Sequence, residues 1–379
     1  MRSVLRLAGA LLGAAFLLAG GIGSALACAI CLSAITVTTG QKLDAADQVV
    51  LASPLPGGGL FRIVESVKGD APIGSTVEAS ADRVKETTSQ DGQLSLLARN
   101  GMSLRWSNFG VVQAESAGWL REFLKTNDGR AKAPPRAWPL VSPVQAVPDS
   151  IDWSKRISVI APSLESGDPL VADIAFAELA RAPYDVMRTL KPALDAADLR
   201  RWLQDPALVK RRDAYLLLLG IAGDSDDAAM LEERLIRAHT SKDATNVAAL
   251  LAADLELRGP NRVAWIEENY LLDHSRSLPE IEAALLALSV HGGPGGVIPQ
   301  RRVVDAYRHF IRERKAMAGF VATYLGDWQA WEVVPDYVDV LRSNAVRDPA
   351  SQFAILVYLR ASPGPEGRSA AEAFVQRAN

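Results

Sequence analysis

"RRDAYLLLLGIAGDSDDAAMLEERL", residues 211–235, carries the pattern that decides the fold. It reads as an apolar helix through Leu219, a break at Gly220 to Gly223, an acid at Asp224, and a second, amphipathic helix. The same order recurs along the chain. Apolar helices break at 183, 220, 259, 292, 326 and 364, with successive gaps of 37, 39, 33, 34 and 38 residues. A second helix follows each break, as in "YDVMRTLKPAL", "NRVAWIEENYLL" and "QRRVVDAYRHFI". One helix pair cannot bury its own apolar face, whereas stacked pairs share a continuous core. A period near 36 therefore predicts an α-solenoid from residue 153 to 379, of the size class of TPR, armadillo and HEAT repeats. Asp185, Asp224 and Asp327 follow three of the breaks, where an acid suits the free N–H groups and dipole of the next helix.

Upstream the pattern changes. A short helix is expected within residues 32–46, although Ile35 to Thr39 are poor helix formers. "QVVLAS" reads as a strand. "LFRIVESVK" alternates apolar and polar residues, and "STVEAS" offers a third strand. Pro54, Pro56 and Gly57 to Gly59 form the turn between the first two. "GMSLRW" and "GVVQA" are weaker strands, and "SAGWLREFLK" is a closing helix with Trp119, Leu120, Phe123 and Leu124 on one face. Residues 28–126 thus form a small β-rich domain. Residues 127–152 hold Pro134, Pro135, Pro139, Pro143 and Pro148 and read as a Pro-rich linker. At 379 residues the chain is too long for one core of ordinary size. The expected class is α+β, mostly α.

The N-terminus reads as a secretory signal over 1–27. Arg2 and Arg6 precede the apolar run Leu7 to Leu18, and Ala25-Leu26-Ala27 is an A-x-A cleavage site. The mature chain is then expected in the periplasm or secreted, with no transmembrane segment. Cleavage after Ala27 makes Cys28 the first residue, a place where bacterial lipoproteins are acylated. The lipobox is out of register by one, because Leu26 stands one position too late. An outer-membrane or surface lipoprotein is the alternative.

Cys28 and Cys31 are the only cysteines. Their C-x-x-C spacing leaves three readings open: a disulfide clamp, lipid anchorage of Cys28, or thiol-redox and metal work. No βαβ unit precedes them, as a thioredoxin-type site requires, and Leu32 stands where haem attachment needs His. His239, His274, His291 and His309 do not cluster, and His291 reads as serving the end of its own helix. Glu232-Glu233 and Glu267-Glu268 read as solvated pairs. "DSDDAA" reads as a helix cap. G-x-S-x-G and H-E-x-x-H are absent, the glycine-rich stretches match no phosphate loop, and no catalytic residue, cofactor or metal ligand set is singled out. Net charge is -3 with both signs interspersed, which argues against nucleic acid or an anionic membrane as the main partner. Trp265, Tyr270, Trp328 and Trp331 have two readings: hot spots for a protein partner, or packing between repeats.

"RRDAYLLLLGIAGDSDDAAMLEERL" resembles a HEAT-type repeat. The order of parts, Cys28-x-x-Cys31, then "FRIVESVKGDAPIG", then helical repeats, resembles a family of exported bacterial proteins common in planctomycete-type organisms. That resemblance implies no particular activity. The N-terminal part is also similar to OB-type netrin/TIMP modules in its N-terminal cysteine and its strand ending in Lys-Gly; those modules carry several disulfides, and this chain can form one. The expected function is an exported, non-enzymatic scaffold that binds another envelope or secreted protein through its solenoid surface. The alternative is a periplasmic thiol-redox or metal-handling protein using Cys28 and Cys31.

Overall fold

The structure, a computed structural model, describes residues 30, 37–56, 58–80, 92–101, 105–127, 151–293 and 295–378. The signal segment, Cys28, Cys31 and the linker residues 128–150 lie outside them. Among the described residues the chain is mostly helical, with a five-stranded sheet near its N-terminus.

Helix α1 (Thr39–Ala45) starts on a reciprocal cap: Gln41 N donates to Thr38 Oγ1 at 3.1 Å, and Thr38 N donates to Gln41 Oε1 at 2.9 Å. The β-branched Val37 and Thr38 stay outside the helix, as their propensity predicts. Strands β1 (Gln48–Pro54), β2 (Leu60–Lys68), β3 (Thr76–Ser80), β4 (Gln93–Arg99) and β5 (Trp106–Gln113) close into a barrel of order β1-β2-β3-β5-β4. All pairings are antiparallel except β3 with β5, which run parallel through Ala79↔Trp106 and Ser80↔Ser107. Register shifts in β1 and β4 give the bends that a small barrel needs. Gly69 ends β2 at φ 80°, and a Cβ there would lie 2.7 Å from the Asp47 carbonyl oxygen. That close approach is the physical content of the Lys-Gly signature.

The barrel has apolar side chains on both faces. Val50, Ala52, Phe61, Ile63, Ala79, Leu97 and Trp106 fill its interior. Val49, Leu51, Leu96, Ala98 and Val112 point outward, against α1 and α2 (Ala117–Lys125). β4 escaped the sequence reading for this reason. Its residues Ser95 to Ala98 are all buried, alternately inside the barrel and under the helices, so no polar alternation marks it. Residues 102–104 of "GMSLRW" lie outside the described residues; Gly101 and Arg105 are not in a strand, and Trp106 opens β5, which takes in "GVVQ".

The outer cluster continues without interruption into α3 (Trp153–Ile160) and α4 (Pro169–Leu179) through Ile157, Ile160, Ile174 and Leu179. The two ends of the Pro-rich segment meet: Asn127 bridges Ile151, and Asp152 N donates to Thr126 O at 2.8 Å. Asp168 ties the barrel to α4. One of its oxygens caps the N-terminus of α4, and the other accepts from Gln113 N at 2.7 Å and Ser116 Oγ at 2.6 Å.

The remaining helices are α5 (Tyr184–Arg188), α6 (Ala196–Trp202), α7 (Arg212–Ala222), α8 (Ser225–Ser241), α9 (Val247–Arg258), α10 (Arg262–Ile266), α11 (Leu278–Gly292), α12 (Gln300–Glu313), α13 (Ala322–Asp327), α14 (Val334–Ser343), α15 (Pro349–Ala361) and α16 (Pro365–Ala378). Each of the six sequence breaks falls at or beside a junction between two helices. α9 packs between α7 and α11. Three features depart from the repeat pattern. α6 is an extra helix between the first two breaks. α10 continues as a π-helical turn, Glu267–Leu271. The loop after α11 reaches back to α5, where Arg188 Nη1 donates to Gly295 O at 2.8 Å across 107 residues.

Of the three acids, Asp224 caps α8, accepting from Asp226 N and Asp227 N while Asp227 returns a bond to Asp224 N. Asp185 lies in the first turn of α5 without a cap bond. Asp327 ends α13 instead of starting the next helix, a correction to the expected cap.

Gly220 marks a close contact between first helices. A Cβ on it would lie 2.6 Å from Ala253 Cα and 2.9 Å from Ala253 Cβ on α9. Backbone cannot swing aside, so α7 and α9 must separate. Gly220→Ala is expected to lower unfolding free energy by about 1–3 kcal/mol, despite the better helix propensity of Ala. Urea denaturation checks this, and an unchanged midpoint would show that the helices slide apart at no cost.

Candidate functional site

The expected aromatics do not share one exposed face. The Tyr270 ring is buried, edge-on to His239 at 5.6 Å and to Trp265 at 5.8 Å. A partner cannot reach it without parting the helices. Trp265 is half-buried under the Arg262 guanidinium, 4.0 Å from the ring centroid. Trp331 packs on Tyr358 at 5.3 Å. Trp328 stacks parallel on Tyr307 at 5.8 Å.

Trp328 lines a groove of about 450 Å³. One wall is α12, with Gln300, Arg301, Val304, Asp305 and Arg308. The other is the connection from α13 to α14, with Gln329, Ala330 and Glu332. A left-handed turn at Gln329, φ 55°, makes this connection sharp enough to swing the indole under α12 and leave Gln329 and Glu332 on the rim. Gln300 Nε2 bonds the Gly292 carbonyl at 3.1 Å, and Arg308 is held by Asp336 at 2.9 Å. Arg301, Asp305 and Glu332 make no ion pair among the described residues and present both charge signs to the groove. Such a surface, aromatic at its floor and charged at its rim, suits a polypeptide.

The histidines stand in different settings. His309 Nδ1 pairs with Glu267 at 2.9 Å. Glu267 is buried and also takes Arg302, so it is not the solvated acid that the sequence suggested. His291 is buried and does not serve its own helix end. Its Nε2 lies 2.7 Å from the Ala252 carbonyl of α9. Burial, chiefly, pushes its pKa down to about 4, so it donates as neutral imidazole. Glu256 beside it accepts from Tyr184 Oη at 2.7 Å and Arg188 Nε at 2.9 Å.

The most buried charges lie where α1 meets α3 and α4, and the sequence reading missed them. Arg156 donates from Nη1 to Glu178 at 2.8 Å, from Nη2 to both oxygens of Asp44 at 2.9 and 3.1 Å, and from Nε to Thr126 Oγ1. Arg181 Nη1 donates to Glu178 at 2.7 and 2.9 Å, and Thr38 Oγ1 donates to the same carboxylate at 3.0 Å. The Arg156 guanidinium lies 4.0 Å over the Phe123 ring. Gly40 is the cradle, since a Cβ there would collide with the Glu178 carboxylate. Two cations and two anions balance, and every carboxylate oxygen has a donor. The cluster joins α1 to α3 and α4 and is a structural latch. The only early sign of it was Glu178 inside the apolar "AFAELA".

Among the described residues no group of three metal-ligating side chains gathers, and no helix is long and apolar enough to cross a membrane. No protein-family model, curated protein or solved structure matches the chain.

Proposed function

We propose that the chain is an exported protein-binding scaffold, with a small OB-type barrel docked on a HEAT-like α-solenoid. The barrel order with its parallel β3–β5 pairing supports the first part. The paired helices, with α9 packed between α7 and α11, support the second. The N-terminal signal pattern supports export to the periplasm or beyond, and the partner is an envelope or secreted protein. The groove beside Trp328 carries the binding reading, because it joins an aromatic floor to unpaired charges of both signs.

The test uses the full mature chain as bait in envelope extracts, beside an Arg301→Glu, Glu332→Lys double variant. Both side chains are exposed, so circular dichroism and thermal midpoint are expected to stay unchanged. The captured partner is expected to fall by about 10-fold or more with the variant, the scale of removing contacts at the centre of an interface. Equal capture by both proteins would remove the groove from the binding surface.

A further inference from the structure

The Trp328 indole is held by packing and not by a hydrogen bond. Its Nε1 is buried and has no acceptor among the described residues. Tyr307 stacks on the ring. At the ring's edge lies Gly292, the last residue of α11, where a Cβ would come 2.7 Å from the Trp328 Cη2. Gly292 also supports the rim of the groove, since its carbonyl accepts from Gln300 Nε2 at 3.1 Å. Floor and rim thus rest on one residue, and that residue stands at a helix end that does not close on itself. The capping Gly293 has an extended backbone, φ -79° and ψ 179°, and returns no bond from its N–H to the last turn. α12 opens on Pro299 without a side-chain cap. The place of Gly292 therefore depends on the glycine connection that follows it.

That connection is clasped from a distant part of the chain. Gly296 N donates to Gly293 O at 3.2 Å, which folds the connection back on α11, and a Cβ on Gly296 would lie 2.0 Å from the His291 carbonyl oxygen. Gly295, at φ 75°, rests on α5, where a Cβ would lie 2.2 Å from Asp185 Cβ. Glycine is required at both places, because any side chain would push the connection off one helix or the other. Arg188, one turn beyond Asp185, donates from Nη1 to Gly295 O at 2.8 Å and from Nε to Glu256 of α9 at 2.9 Å. The Glu256 side chain is 9% exposed and also accepts from Tyr184 Oη at 2.7 Å. A planar guanidinium bonded on two edges to fixed groups is an oriented arm, not a mobile surface side chain.

We infer that Arg188 is a positioning residue for the groove: clasped between Glu256 and Gly295, it holds the glycine connection, and through Gly292 it fixes the Trp328 floor and the Gln300 rim. The consequence for binding rests on the groove reading given above. α5 then tunes the affinity for the partner without touching it.

Acrylamide quenching of tryptophan fluorescence in the full mature chain tests the clasp with no partner present. The Trp328 contribution is isolated by subtracting the signal of Trp328→Phe made in each background. Arg188→Met removes both bonds of the arm and keeps most of its bulk. Gly295→Ala keeps the arm and displaces the connection. Each is expected to raise the quenching of Trp328 by about 2-fold or more, with unchanged far-UV circular dichroism. Tyr184→Phe removes a bond to the same Glu256 and leaves both Arg188 bonds, so it is expected to leave the quenching of Trp328 unchanged. The two test variants act independently, and one that folds is enough. Unchanged quenching in a folded variant overturns the inference, because α11 alone then holds Gly292. An equal rise in Tyr184→Phe also overturns it, since the whole junction then loosens without the clasp. In the capture experiment above, Arg188→Met is expected to retain about 3-fold less partner or lower still. Capture unchanged by Arg188→Met, where the Arg301→Glu, Glu332→Lys variant reduces it, overturns the effect on binding. Capture unchanged by the groove variant removes the binding reading, and the quenching result still decides the clasp.

Discussion

Arg156→Met is expected to lower the unfolding free energy by about 3–5 kcal/mol, the scale for removing one partner from a buried ion pair. The side chains of Arg156 and Glu178 are fully buried and that of Asp44 nearly so, and solvent screening does not weaken their interaction as it does at a surface. Methionine fills much of the volume, so the loss is electrostatic and not a cavity. Glu178 keeps Arg181 and Thr38, but Asp44 loses both bonds from a guanidinium. Burial already raises the Asp44 pKa, with Arg156 the main opposing influence. In the variant that pKa is therefore expected to rise further. A carboxyl whose folded pKa lies above its unfolded one binds more protons when folded, so its contribution falls as pH rises through that window. The Arg156→Met protein is then expected to recover stability on mild acidification. Asp44→Asn in the same background is expected to restore part of the loss at neutral pH, because an amide needs no counter-charge. Urea denaturation at neutral pH decides the matter: a loss under about 1 kcal/mol would mean that the latch contributes nothing beyond its own desolvation cost.

The latch also shows where reading from sequence ends. The helix pairs were legible because glycine and proline punctuate apolar runs, and those signals are local. "FRIVESVK" was legible because its two faces differ. β4 was not, since both of its faces are apolar, one toward the barrel interior and the other toward α1 and α2. Closure of the barrel rests on two residue pairs between β3 and β5, for which no local pattern exists. Arg156 and Asp44 lie 112 residues apart, and nothing around either marks it as buried. Trp328 could be flagged as an aromatic, but its place in a groove depends on the left-handed turn at Gln329, which sequence does not announce.

His291 gives the second large effect, and it is a matter of pH. Its imidazole is buried, bonded through Nε2 to Ala252, and held near pKa 4 chiefly by desolvation, with Arg188 adding to the shift and Glu256 opposing it. Tyr184 packs edge-on at 5.2 Å and completes the enclosure. The unfolded chain protonates this residue near the ordinary 6.5, while the folded chain resists until about 4. Between those values the unfolded state binds more protons, so stability rises with pH across the window. The contribution is present in full above about 6.5 and is lost progressively as pH falls to about 4, by about 3 kcal/mol in total. Below that both states are protonated and the slope vanishes. Other carboxylates add their own acid dependence, so the comparison must be with a variant. His291→Gln keeps an N–H for Ala252 and cannot take up a proton. Its stability is expected to change less between pH 6.5 and 4 than the wild type's, by about the same 3 kcal/mol, when both are measured by urea denaturation at several pH values. Parallel curves for the two proteins would show that water enters beside His291 and that Glu256 stabilises the imidazolium inside the fold.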